Sequence, residues 1–371
     1  MTDPATGQRS FLQALKVPFD LKGVGAGALA YLALVWGGRL LHEEFGPFTF
    51  LQRLGRDGFG RGNAEFLQGW VGGHLLLKLG IAALFGVACC RIAAMRLARD
   101  EGVDLGAALG FSCSTLPSTL GAYLFMAAAI AFFFSCNALA GLASGIPGIG
   151  PILMIVLVPL VLLSTLILFL LVFGTALGLP LVLASLATER NGALDAVSRG
   201  FSYVFSRPAL FFFYGATVWF LASLLAACAV GMEGLASASF TRWLPADSEN
   251  YDALRSAFDL AGTAAVTDHL PDFSRVGGVT IVGAWSAWFF GTLFHLCLMG
   301  YVVYYFFGGA TAAYFALRRD VDGTEDEEIW VEGEDRDAFG EPEKPEPVPA
   351  SSPPASATGK APDAKPPSQA S

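Results

Sequence analysis

The sequence predicts an all-α polytopic membrane protein of about six transmembrane helices built around an internal parallel repeat. Three observations lead there. Hydrophobic residues make up 54% of the 371 positions and charged ones only 15%, with a mean hydropathy of +0.54. Six apolar stretches reach the ~20 residues a helix needs to cross a bilayer core of about 30 Å. Two of those stretches are followed by similar polar elbows. A chain of this balance is neither disordered nor typical of a water-soluble enzyme.

The predicted spans are Gly23 to Leu41, Trp70 to Cys90, Leu120 to Leu139, Pro151 to Phe173, Pro208 to Val230 and Val279 to Phe306. The first is the weakest, because Gly23, Gly25 and Gly27 lower its helix propensity. Its polar leader, residues 1–22, is followed by no small-residue cleavage site, so it reads as a retained signal anchor. After the fourth span the apolar pattern runs on from Gly174 to Ala187, a helix passing the membrane edge with a kink expected at Pro180.

Charge is distributed unevenly. The first 320 residues carry nineteen acids and nineteen bases, whereas the last 51 carry thirteen acids and four bases, so the net charge of -9 sits in the tail. A neutral apolar body has no basic surface for nucleic acid. Arg9, Lys16 and Lys22 precede the first span, Arg91, Arg96 and Arg99 close the second, Arg190, Arg199 and Arg207 separate the fourth from the fifth, and Arg318 and Arg319 follow the sixth. Every second boundary is basic, which places both termini in the cytoplasm. Against this pattern, Arg53, Arg56 and Arg61 fall in the first outer loop.

The repeat lies in two cytoplasmic elbows. Leu97 to Pro117 and Leu186 to Pro208 share Leu-Ala, an acid near Arg, a Gly turn, then Gly-Phe-Ser and a Pro before the next span. With the flanking spans they give units of about residues 70–139 and 151–230, related by an axis along the membrane normal. In the second elbow Asp195, Ser198, Arg199, Ser202 and Ser206 lie on one helical face, opposite Leu194, Val197, Phe201, Val204 and Phe205. This helix is expected to lie in the interface, its apolar face entering the headgroup boundary or packing under the bundle, with Arg199 reaching lipid phosphate or the carboxylate of Glu189. Arg91, Arg99 and Asp100 in the first elbow, and Glu189, Arg190, Asp195 and Arg199 in the second, are the candidate binding residues.

RIAAMRLARDEG, the elbow LATERNGALDAVSRGFSYVFSRP and the exit YFALRRDVDGTEDEEIW together resemble a family of uncharacterised polytopic membrane proteins of planctomycete type, over roughly Phe19 to Trp330. That resemblance implies a bacterial cytoplasmic membrane location. More distantly, Pro180, Glu189, Ala196 and Arg199 resemble the membrane-anchor domain of some glycerophosphoryl diester phosphodiesterases. In that wider group, which includes Yip-like membrane domains, Ser often follows the Arg; this chain has Gly200 there. The resemblance implies a membrane module without the attached enzyme.

Ionisable groups inside spans are costly and are functional suspects. His74 and Lys78 share a face of the second span, and His295 sits near the middle of the sixth. The apolar cores as delimited contain no carboxylate, so Lys78 and Arg91 are expected to snorkel to opposite interfaces, and His295 to make one interhelical hydrogen bond. The six cysteines read as small apolar fillers, though Cys136 and Cys228 fall near the outer ends of equivalent spans. Gly174 and Gly178 form a Gly-x-x-x-Gly, a pattern that in glycine-rich membrane helices is often incidental. No catalytic constellation, metal site or cofactor motif is expected.

The outer loop, residues 232–278, is expected to hold a short amphipathic helix around Tyr251, Leu254 and Phe258. The acidic, proline-rich residues 321–371 are expected to be disordered. The expectation for function is a non-catalytic membrane scaffold whose partners are the bilayer and a lipid or protein docked on the elbows or tail. The alternative is a transporter or channel for a small or lipid-like solute, marked by a hydrated cleft at His74, Lys78 or His295.

Overall fold

The computed structural model describes residues 20–40, 76–242, 279–324 and 328–331. Among them there are only helices and connections. They are α1 (Leu21–Leu40), α2 (Leu76–Arg99), α3 (Leu105–Ser144), α4 (Gly150–Glu189), α5 (Ala193–Ser206), α6 (Pro208–Arg242) and α7 (Val279–Asp322). A π-helical turn, Ala82–Gly86, interrupts α2. The chain divides into two compact units, Met1–Ile329 and Trp330–Ser371, and of the second only Trp330 and Val331 are described.

Five helices, α2, α3, α4, α6 and α7, are long and apolar enough to cross a membrane, at 24 to 42 residues; α1 contributes a shorter apolar stretch, Leu21–Val35. A helix of 40 residues is about 60 Å long, twice a bilayer core. Accordingly α4 has two zones. From Ile152 to Phe173 most of its large apolar side chains, among them Ile155, Leu162 and Phe169, are exposed, whereas every residue from Leu181 to Thr188 is buried against protein. The first zone can face lipid; the second continues the helix into a packed end, as the apolar run from Gly174 to Ala187 suggests.

At that packed end α2 is the central helix, buried from Val87 to Met95 between α7, α4 and α3. Its small residues Ala88, Cys89 and Ala93 let Tyr304 and Tyr305 of α7 and Ala26 of α1 close around it. Between α3 and α4 the apolar turn closes through Gly148 at φ +83°, a conformation that suits glycine.

Two glycines of α1 make close contacts with α7. A Cβ on Gly27 would lie 2.0 Å from the Gly300 carbonyl oxygen of α7, and one on Gly23 would lie 2.4 Å from the Tyr304 ring. Such close backbone approach is what small residues permit between membrane helices. Gly174 and Gly178 likewise face α5: a Cβ on Gly174 would meet the Phe201 ring at 2.7 Å.

Several sequence expectations are corrected. The fifth span does not end at Val230; α6 runs to Arg242, because apolar spacing continues past Met232, and the outer loop begins correspondingly later. The tail does not begin at residue 321, since α7 continues to Asp322, where Asp320 and Asp322 have partners across the packed end. The first elbow is no separate helix either: α3 runs unbroken through Pro117, while the chain breaks at Arg207 between α5 and α6.

The two elbows share their exits. Asp100 and Arg190, Gly102 and Gly192, and Gly110 and Gly200 are pairs 90 residues apart. Asp100 and Arg190 are the non-glycine residues with positive φ among those described, at 54° and 52°. Burial does not follow that alignment. The first elbow buries Ala108, Ser112 and Thr115, whose counterparts Ser198, Ser202 and Phe205 are exposed. The second buries Ala196, Val197, Gly200, Tyr203 and Val204. Of the apolar set of α5, Val197 and Val204 pack against protein, whereas Leu194 and Phe205 are exposed.

Candidate functional site

The packed end is organised on one carboxylate. Glu189 closes α4, and the left-handed turn at Arg190 directs the chain into α5, so that Arg199 returns to it. Arg199 Nη1 donates to Oε1 at 2.9 Å and lies 2.7 Å from Oε2. From α7, the Tyr314 hydroxyl donates to Oε1 at 2.7 Å and Arg318 Nε lies 3.0 Å from it; Asn191 donates to Oε2. Glu189 and Arg318 are only 9% and 7% exposed. One acid therefore ties the end of α4 to α5 and α7.

Further charges around this hub have partners. Asp195 lies 3.5 Å from Arg199 Nε, Arg318 Nη1 donates to the Glu328 carbonyl at 2.9 Å, and Arg207 and Asp320 are 3.3 Å apart. The Tyr203 hydroxyl donates to Asp322, and the rings of Tyr203 and Tyr314 are 5.5 Å apart. Burial works against the Arg199 charge, but Glu189, with Asp195 adding to it, outweighs burial and holds the guanidinium above its ordinary value. Burial, with Tyr314 and Asp322 beside it, pushes the Tyr203 phenol up.

Arg91 does not snorkel. It is 5% exposed, donates through Nη1 to the Ala187 carbonyl at 3.0 Å and lies 4.6 Å above the Phe111 ring. The end of α2 is thereby fastened to the end of α4, at the same end of the bundle as Glu189. The start of α1 is fastened there too. Asp20 caps α1 by accepting the Lys22 N–H at 2.9 Å and accepts Arg96 Nε at 3.0 Å. Lys22 donates to Asp104, and that hydrogen bond and charge hold the Asp104 carboxyl below its usual range. Arg99 closes α2, and the exposed Asp100 supplies its left-handed exit, where Glu101 N–H bonds to the Met95 carbonyl at 3.3 Å.

A second polar group joins α1, α6 and α7. His295 is buried, and both ring nitrogens are used: Nδ1 lies 2.8 Å from Glu233 Oε1 and Nε2 lies 2.9 Å from the Tyr31 hydroxyl. Sequence reasoning allowed one hydrogen bond and no carboxylate, because the span was ended at Val230. The available signal was a lone acid in an apolar stretch that keeps helical spacing through Leu235. Lys78 is half-buried on α2 with an interaction of its own and is not one of the two partners of His295. His74 lies outside the described residues, as do Arg53, Arg56 and Arg61, the helix expected around Tyr251 to Phe258, and residues 332–371. Cys136 and Cys228 are exposed free thiols.

Between these groups, α4, α6 and α7 enclose an apolar cleft of about 220 Å³. Its walls are Ala176, Leu177, Pro180 and Leu181 from α4, Phe211, Phe212, Gly215, Ala216, Val218 and Trp219 from α6, and Phe306, Ala310 and Ala313 from α7. It lies where the exposed apolar zone of α4 gives way to its buried zone, and Arg207 stands one turn before Phe211.

The Gly200 that departs from the Ser of the resembling domains has a packing role. A Cβ there would lie 2.7 Å from Val182 Cγ2. Gly200→Ser is expected to destabilise the protein by about 1–3 kcal/mol, the usual range for overpacking, measured as a shift in reversible unfolding in mixed micelles.

Comparison with known proteins returns no matching family model, no matching curated protein and no matching solved structure.

Proposed function

We propose that this chain is a non-catalytic lipid-binding module of a bacterial cytoplasmic membrane, with both termini in the cytoplasm. The observation that carries this is the α4–α6–α7 cleft, lined by apolar side chains at the level where the helices leave their lipid-facing zone. An acyl chain fits such walls, and burial of its methylenes supplies about 0.8 kcal/mol each. Orientation rests on Arg91, Arg96, Arg199, Arg207 and Arg318 gathering at one end of the bundle.

The elbow charges themselves support a structural role. Arg199 and Glu189 are engaged with each other and with α7, so the ligand surface of this proposal is the cleft beside them. The resemblance to membrane-anchor domains without their enzyme accords with the same reading.

Filling the cleft tests it. Ala176 and Ala216 line it and are exposed, so Trp at either position enters the space without displacing core. In the reconstituted full chain, Ala176→Trp and Ala216→Trp are expected to reduce labelling by a photoreactive acyl-chain phospholipid at least tenfold while unfolding is unchanged. Equal labelling of wild type and both variants would refute lipid occupancy.

A further inference from the structure

The Tyr31–His295–Glu233 chain is used by neither the packed end nor the cleft, and we propose that it is a proton-binding relay. Three helices each supply one member. An ionised carboxylate only accepts hydrogen bonds, so the contact with Glu233 places the imidazole proton on Nδ1; Nε2 then carries the lone pair and accepts from the Tyr31 hydroxyl. This state has one net negative charge, on Glu233. Roughly 38 Å of helix, at 1.5 Å per residue, separate that charge from Pro208 at the packed end.

Uptake of one proton cancels that charge. The geometry gives that proton a path without motion of the ring. A proton arriving at the Tyr31 oxygen releases the original hydroxyl proton to His295 Nε2. The Nδ1 proton passes to Glu233 Oε1. The products are a neutral carboxylic acid, the Nε2–H imidazole and a restored tyrosine hydroxyl, so one proton is gained and the charge goes from minus one to zero.

Exposure suits this direction of transfer. His295 is 4% exposed, while Tyr31 and Glu233 are each partly exposed, so the two ends of the chain are open and its middle is not. Among the described residues, the titratable groups facing the ring are Tyr31 from α1 and Glu233 from α6. Thr292, one turn earlier on α7, and Lys78 on α2 each have interactions of their own. A strut that merely holds three helices together needs neither the donor–acceptor alternation nor the open ends.

Infrared difference spectroscopy of the full chain in lipid nanodiscs, acidified from about pH 8 to about pH 5, the window in which histidine chemistry operates, tests the relay. Wild type is expected to gain a protonated-carboxyl band that Glu233→Gln abolishes and His295→Gln reduces at least fivefold. Nitrogen-15 spectra of labelled histidine, assigned with His295→Gln, are expected to show the Nδ1–H form of His295 at the high end and its conversion on acidification. Tyr31→Phe should leave the carboxyl band and remove the hydrogen-bond shift of Nε2. The proposal is overturned if Glu233→Gln leaves the band unchanged, or if His295 keeps one tautomer throughout. Loss of stability in the variants without these spectral changes would show a strut and equally overturn it.

Discussion

Glu189→Ala is expected to destabilise the protein by about 3–5 kcal/mol, the cost of leaving a buried charge without its partner. Arg318 is the reason. It is 7% exposed, and without Glu189 the partner its guanidinium retains among the described residues is the Glu328 carbonyl. Arg199, a third exposed, can recover water, so most of the loss arises on α7. Two controls separate charge from shape. Glu189→Gln keeps the side-chain volume and one acceptor oxygen, and is expected to lose about 1.5–3 kcal/mol, the worth of hydrogen bonds to a charged group. Glu189→Leu combined with Arg318→Leu removes both charges together and is expected to regain most of the loss of the single alanine variant. Reversible unfolding in mixed micelles measures all three. A Glu189→Ala variant within about 0.5 kcal/mol of wild type would place the carboxylate outside the set of groups that hold the packed end together.

Gly27→Leu is the second large effect, at about 3 kcal/mol or more, the upper end of what overpacking costs. The obstruction is backbone. The Gly300 carbonyl oxygen stands 2.0 Å from where a Cβ would be, with its carbon at 2.9 Å, so no rotamer change relieves the clash and α1 must move off α7. Gly300→Ala approaches the same contact from the other side, where Ala28 N and Val24 O are both 2.7 Å away, and is expected to behave alike. Gly25 is the internal control. Its nearest neighbour, Leu105 Cδ2, is at an ordinary 3.6 Å, so Gly25→Ala is expected to be neutral or to stabilise by up to about 1 kcal/mol through helix propensity. Equal effects of Gly25→Ala and Gly27→Leu in the same unfolding assay would contradict the contact.

How much of this was legible beforehand differs from residue to residue. The apolar runs, the continuation of α4 past Phe173 and the Glu189–Arg199 pairing can be read from composition and helical spacing, because each depends on residues close in the chain. Glu233 was legible in principle, since α6 keeps its apolar spacing beyond Val230; treating the acid as the start of a loop hid it. Arg91 was not. A buried arginine and a snorkelling one have the same local sequence, and its partner, the Ala187 carbonyl, is a backbone group of another helix.

The two elbows make the same distinction. Their shared Gly-Phe-Ser and their left-handed exits follow from local residues, yet they bury opposite faces. Which face is buried depends on where α4 and α7 lie.

By itself the sequence determined that this chain is helical, that its apolar runs are long enough to cross a membrane, and where the basic flanks fall. All three depend on hydropathy and on a period of 3.6 residues, which act within one helix. Tertiary structure alone decided which glycines touch, that Glu189 serves two arginines and a tyrosine at once, and that His295 lies between Glu233 and Tyr31. The polar contacts among them join residues from 10 to 264 positions apart. They form because lipid-solvated helices settle by backbone approach and by pairing of their few polar groups, and neither is periodic along the chain.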